Sequence, residues 1–390
     1  MISHYLTIAW RNLQRHQLFS FLNLAGLTIG LSFALLIFLW VYDEWKMDRF
    51  HERSADLYQV LQQYPTPEGI EVVDWTPALL APTLVEELPE IEFATATKTG
   101  PFAKGIVVNG TKSFRVDGKL VSSDFLKVFS YPLLQGNPEK ILQDKYEVVI
   151  SEELAVKLFD SVEGSLGQTV QWEKTGFYDY KDNFTVGGVF ANVPAHSSDQ
   201  FDLLFNASYY LDQDKSGSYN WGNNPMATTV MLLSGADPKA LGEQITQLVK
   251  TRNNQVENTF FLASYSKQYL YGNYENGVQA GGRIAYVLLF SLIAIIILLI
   301  ASINFMNLST ARAMHRAKEI GVKKTMGAHR QILVGQFVSE SLFLAGIALL
   351  LSTLLVQLLL PEFNEITGKA LKLEFDPRIV VAFLLITVFT

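Results

Sequence analysis

The chain of 390 residues contains no cysteine. A disulfide framework, thiolate chemistry and Cys-ligated metal sites are therefore closed to it. Its six histidines, at positions 4, 16, 51, 196, 315 and 329, show no ligand spacing. The pair His51-Glu52 lacks the second histidine that a zinc-protease helix needs one turn on. The glycine-rich P-loop pattern ending in Gly-Lys-Ser/Thr is absent, so the sequence offers no loop to cradle ATP phosphates, and the Gly-x-Ser-x-Gly nucleophile turn is absent too. The chain reads as a non-enzyme, with no catalytic residues and no cofactor or metal of its own.

A second absence is local. Three long runs contain no Asp, Glu, Lys or Arg: His16–Tyr42 (27 residues), Ile284–Ala311 (28) and Ser341–Pro361 (21). A bilayer core of about 30 Å needs about 20 apolar residues as helix. Each run is long enough to span, and a fourth opens at Ile379 and reaches Thr390. Carriers driven by protons or ions place ionisable groups inside their spans. None is present in the three complete runs, so any energy must come from a partner. Asn304 and Asn307 near the inner end of the second run read as helix–helix hydrogen bonders.

The first run is too long for a cleavable signal peptide and leaves through Trp40, Tyr42 and Trp45, aromatics of the kind that sit at a membrane interface. It reads as an uncleaved anchor. Arg11 and Arg15 precede it without an acid, and residues 312–339 carry six Lys or Arg against Glu319 alone. The positive-inside rule puts both on the cytoplasmic side. Residues 43–283 then lie outside, with 20 Lys and Arg against 32 Asp and Glu. A domain carrying that excess of acid is a poor partner for nucleic acid or anionic lipid. Asp43, Glu44 and Asp48, just beyond the first run, read as a solvated face.

The outside segment mixes strand and helix signals and is expected to be α+β with antiparallel sheet. Strands are predicted at Leu57–Gln63, Ile106–Val108, Val148–Ile150 and Phe184–Phe190, the last interrupted at Gly187-Gly188. Asn109-Gly110 and Asp117-Gly118 predict tight turns on either side of Thr111–Val116. Helices are predicted at Thr76–Leu88, at Glu152–Phe159 with Ser151 as N-cap, and at Pro238–Arg252. Residues 1–15 form an amphipathic pattern through Leu6, Trp10 and Leu13. In the first run, Gly26, Gly30 and Ala34 recur every four residues, a stripe that lets another helix approach closely. No Pro or Gly occurs from Arg283 to Ile320, so the second helix should outrun the bilayer. Gly321 and Gly327 then bracket Val322–Met326 in a short basic hairpin.

Ala317-Lys-Glu-Ile-Gly-Val-Lys-Lys-Thr-Met-Gly-Ala328 and Phe337-Val-Ser-Glu-Ser341 resemble the signature after the second span of FtsX/MacB-type ABC transporter permeases. Ala9-Trp-Arg-Asn-Leu-Gln-Arg15, running into Leu24-Ala-Gly-Leu-Thr-Ile-Gly30, resembles that family's start. Residues 148–159 and 184–194 are similar to its MacB-like periplasmic core domain. The resemblance implies an α-helical membrane bundle, with three complete spans and the start of a fourth, and a large α+β extracytoplasmic domain inserted between spans one and two. The expected boundaries are a cytoplasmic helix at 1–15, spans at 16–42, 283–311 and 339–361, and a core domain with porter-like and sabre-like parts at 43–282. A cytoplasmic stalk and coupling hairpin occupies 312–338, an outer loop 362–378, and the fourth span begins at 379–390.

The same resemblance implies a permease of the bacterial inner membrane that works with a separate cytoplasmic ABC ATPase, which consumes the ATP. The other implied partners are a second permease half (a homodimer or a fused tandem, of which this chain would be the first half), a periplasmic adaptor and membrane lipid. ATP hydrolysis would drive periplasmic movement for export or release of a substrate. Arg316, Glu319, Ile320, Gly321, Lys323, Lys324, Met326 and Gly327 are the expected ATPase-coupling residues. A membrane receptor with a ligand-binding outer domain is the alternative. It calls for a long cytoplasmic signalling segment after the second span, where this chain has only a short one.

Overall fold

The computed structural model describes residues 17–101, 103–174, 180–212, 217–315, 321–322, 324–327 and 329–373. The chain divides into two compact units, residues 46–284 and the remainder. The pattern at 1–15 and the run from 379 lie outside the described residues.

The helical unit contains α1 (Gln17–Lys46), most of α8 (Arg283–His315) and α9 (Arg330–Thr367). All three are long and apolar enough to cross a membrane. Of the apolar windows, half of that in α1 is buried, against 17% in α8 and 28% in α9. The first helix is therefore the packing centre, and α8 presents most of its apolar surface outward. Leu27 and Leu31 pack against Ala301, Phe305, Leu344 and Ala348, and Leu35, Leu36 and Leu39 against Val356 and Leu371. The third helix does not stop at Pro361. It continues to Thr367 and ends at Gly368, whose φ of 65° breaks the helix. Pro361 removes one backbone donor, and the helix absorbs that loss.

The large unit is built on one chain-spanning sheet. Its first stretch holds β1 (Leu57–Thr66), β2 (Gly69–Val73), β3 (Trp75–Thr76), α2 (Leu80–Glu87) and β4 (Ile91–Lys98). Thr76 was expected in helix, but it pairs with Met226 in the sheet and α2 starts beyond Pro77. The middle stretch holds β5 (Lys104–Asn109), β6 (Lys112–Val121), α3 (Phe125–Val128), β7 (Leu133–Gln135), β8 (Glu147–Ser151) and α4 (Glu152–Phe159). It continues with β9 (Thr169–Lys174), β10 (Tyr180–Phe190), β11 (Leu203–Asn206) and α5 (Ala207–Leu211). The last stretch returns with β12 (Met226–Leu232), α6 (Pro238–Arg252), β13 (Thr259–Ser264), α7 (Tyr265–Tyr271), and the small pair β14 (Tyr274–Glu275) and β15 (Val278–Gln279).

These strands make two lobes. In the first, the antiparallel order is β4-β12-β1-β13, with α2 following β1 and α6 following β12. This is a split βαβ arrangement. Its core joins Val60, Leu80, Leu84 and Val230 to Leu241, Ile245 and Val249 of α6. The hydroxyl of Thr246 on α6 accepts from the Phe260 N–H on β13 (2.8 Å) and donates to the Gly242 carbonyl of its own helix (2.9 Å), with the Phe260 carbonyl farther off at 3.2 Å. In the second lobe β6-β5-β9-β10-β8-β11 follow one another and β11 pairs back onto β6, which closes a six-stranded barrel. Trp172, Phe184 and Phe205 fill it edge to face, at ring distances of 4.8 and 5.2 Å.

Two expectations need correction here. The sheet is mixed, because β8–β10 and β6–β11 are parallel. Asp117-Gly118 forms no turn. It lies inside β6, where a Cβ at Gly118 would come within 2.8 Å of the Phe205 ring and 2.7 Å of the Ala103 carbonyl. Glycine is there for a close approach. Asn109-Gly110 does turn, with Asn109 opposite Lys112. Strand β10 runs through Gly187-Gly188 as a bulge between Val186 and Gly188. Local capping signals hold: Ser151 Oγ accepts from the Leu154 N–H at 3.2 Å, and Asp237 caps α6.

Candidate functional site

The connector between α8 and α9 is the first place to look for chemistry, because the sequence signature falls there. Arg316, Glu319, Ile320 and Lys323 lie outside the described residues. Gly321, Lys324, Met326 and Gly327 belong to a short helical turn, closed by Met326 N–H to the Val322 carbonyl (3.0 Å) and Gly327 N–H to Lys324 (3.1 Å). Gly327 has φ +92°, a conformation that L side chains resist. It ends the turn, and α9 starts at Arg330. Val322 and Met326 stand four residues apart, on one face of the turn, and are 59% and 83% exposed. The turn offers two exposed apolar side chains together with Lys324, which suits docking.

The small-residue stripe faces α8. A Cβ on Gly30 would come within 2.6 Å of the Ala301 Cβ, and one on Gly26 within 3.1 Å of the Asn304 amide. Ala34 is buried. Asn304 thus lies over Gly26 without bonding across, and neither it nor Asn307 makes a hydrogen bond to another described helix. A different polar link ties α1 to α9, where the Ser32 hydroxyl lies 3.4 Å from the Ser352 carbonyl.

The acids after the first run are not a solvated face. Glu44 and Asp48 are each only 2% exposed. Lys369, beyond the end of α9, reaches both Asp43 (2.6 Å) and Glu44 (2.7 Å). Asp48 accepts from the Ser198 N–H (2.8 Å) and hydroxyl (2.5 Å), and burial raises its pKa above the usual carboxylate range. These partners lie far along the chain, so nothing near Asp48 in sequence announces them.

Around Asp48 the large unit buries a charge cluster that sequence reasoning missed. Lys119, 5% exposed on β6, pairs with Asp199 and sits 5.4 Å from the Phe125 ring centre. His51 accepts from the Ser130 N–H at 3.3 Å through Nδ1. In the neutral ring Nε2 then holds the proton, and Nε2 has no hydrogen-bond partner. Burial, with Lys119 nearby, lowers the pKa of His51 to about 4. Asp48, Lys119, Ser198 and Asp199 line a cleft of about 730 Å³ that also takes in Asp74, Trp75 and Tyr265. No group of three or more metal-ligating side chains occurs among the described residues. The cluster can hold charge out of water, but it presents no paired nucleophile and base.

Comparison with known proteins agrees with the order of these parts. The MacB-like periplasmic core domain matches residues 20–248, and the FtsX-like permease C-terminal region matches 291–390. The chain is 23% identical over 375 residues to the macrolide export ATP-binding/permease protein MacB of Salmonella typhimurium, covering 92% of this chain and 54% of that one. It is 25% identical over 381 residues to the pyoverdine export ATP-binding/permease protein PvdT of Pseudomonas syringae pv. syringae, with 90% and 53% covered. It spans about half the length of these curated relatives. Among solved structures, a permease domain from Porphyromonas gingivalis shares 24% identity, with a TM-score of 0.46 over 55% of this chain and 93% of that one. The periplasmic region of MacB from Actinobacillus actinomycetemcomitans shares 20%, with a TM-score of 0.40 over 55% and 91%. With a family match over more than half its length and the permease region following it, the chain belongs to the MacB-like family of ABC transporter permeases.

Proposed function

We propose that this chain is the permease subunit of an exporter, in which a separate cytoplasmic ATPase drives movement of an extracytoplasmic domain. The observation that carries the reading is the turn at 321–327. It places exposed Val322 and Met326 in one turn with Lys324, between two helices of 33 and 38 residues. At 1.5 Å per residue those helices are about 50 and 57 Å long, more than a bilayer core requires. A docking turn on rigid helices that outrun the membrane is suited to carrying force. The positive-inside bias supports a cytoplasmic position for the turn and an extracytoplasmic one for residues 46–284. The lack of ionisable groups in the three complete runs supports an outside energy source. Relatives named for macrolide and pyoverdine export support export as the direction of work.

Purification of the tagged chain from its native membranes tests the reading. The wild type should retain an ABC ATPase subunit. Lys323→Glu/Lys324→Glu and Gly327→Pro should each lose it while the permease stays folded. Full retention by both variants would sink the proposal.

A further inference from the structure

Two asparagine-rich loops, far apart in sequence, meet at one cleft. Residues 219–225 read Tyr-Asn-Trp-Gly-Asn-Asn-Pro and residues 252–258 read Arg-Asn-Asn-Gln-Val-Glu-Asn. The cleft between them measures about 430 Å³ and is separate from the charged cleft above, sharing only Asn224 with it. Trp221 forms part of the wall, and Val249, Val256 and Phe260 supply an apolar floor.

The amides divide by what they already do. Asn220 Oδ1 accepts from the Gly222 N–H (2.8 Å) and Asn253 Oδ1 from the Gln255 N–H (3.1 Å), so these two shape the loops. Asn258 donates to the buried Gln62 at 2.9 Å. That bond fixes its orientation and leaves its Oδ1 to accept from another group. The side-chain amides of Asn224 and Gln255 make no hydrogen bond to the described chain. Each therefore offers both a donor and an acceptor. Glu257 is the one charged side chain in the lining.

We infer that this cleft binds a neutral saccharide. Sugar hydroxyls donate and accept together, which primary amides match atom for atom. The C–H face of a pyranose is apolar and fits an indole. The near absence of charge, with no base in the lining, disfavours phosphates and carboxylates. The volume lies within the range of small-molecule pockets and admits one or two sugar rings.

The test uses the full chain in a detergent without a sugar headgroup. Calorimetric titration with chitotriose, cellotriose and maltotriose should give saturable binding to at least one, and none to sorbitol, which has the hydroxyls without the ring. Asn224→Ala/Gln255→Ala removes two amides, one half-buried and one exposed, that make no hydrogen bond to the described chain, and should weaken binding by about tenfold or more. Trp221→Ala should abolish it. Because Trp221 also packs against the lobe core, the amide pair is the deciding variant. No heat with any trisaccharide up to roughly 10 mM, where weak single-site recognition is still visible, would overturn the inference. Binding unchanged in the amide pair would overturn it equally. Neither result bears on ATPase docking.

Discussion

Replacing Lys119 with methionine would strand Asp199 and Asp48 beside an aromatic wall with no compensating charge. Breaking a buried pair from one side is costly, so Lys119→Met should lower stability by about 3 kcal/mol, read from denaturant melts. Adding Asp199→Leu should recover much of that loss. His51 provides a pH signature. Its folded pKa, about 4, lies below the unfolded value of 6.5. The unfolded chain therefore binds the extra proton first. The contribution of neutral His51 is complete above pH 6.5 and is lost as pH falls toward 4. The full window corresponds to about 3 kcal/mol as an upper bound. His51→Gln keeps an acceptor for the Ser130 N–H but cannot titrate. Melts at pH 7 and pH 4.5 should show a smaller acid loss in this variant than in the wild type, and equal losses would remove His51 from the account. None of this cluster was legible in the sequence. Lys119, Asp199, Ser198 and His51 are ordinary residues until β6 and the 194–200 segment bring them together.

At the scale of single elements, the helix α6 was readable to the residue. Pro238 and Asp237 start it locally, and an apolar stripe runs through it. The barrel strands were less readable, since β6–β11 and β8–β10 pair across long loops and only the closed structure shows why Gly118 must lack a side chain. The stripe on α1 is an intermediate case: its spacing is visible, but its partner is not. Gly30→Leu should block the approach of Ala301 and lower the thermal midpoint of the detergent-solubilised chain. The milder Gly30→Ala should be rescued by Ala301→Gly, which restores the missing space. Failure of that rescue would show that the seam tolerates separation.

On the scale of the molecule, the barrel lobe is an insertion whose ends nearly touch. Thr97 on β4 faces Ala227 on β12, and the lobe occupies most of what lies between. Replacing residues 99–225 of the isolated large unit with Asn-Gly should give a β4–β12 hairpin and a freestanding split βαβ domain. Its circular dichroism should retain helix and sheet. Its stability should fall, because Ala207 and Leu211 of the removed segment help fill its core. The closed barrel has a consequence for life at high density. Sheets associate through unpaired rims, where free N–H and C=O groups recruit strands from other chains. The barrel has no rim, and on β13, where the sheet path ends, the Thr246 hydroxyl already takes up the Phe260 N–H at 2.8 Å. Thr246→Val should therefore expose the chain to strand exchange, seen as concentration-dependent oligomers in size-exclusion chromatography. With threonine in place, the end strand of the sheet has one backbone donor fewer to offer a neighbouring copy.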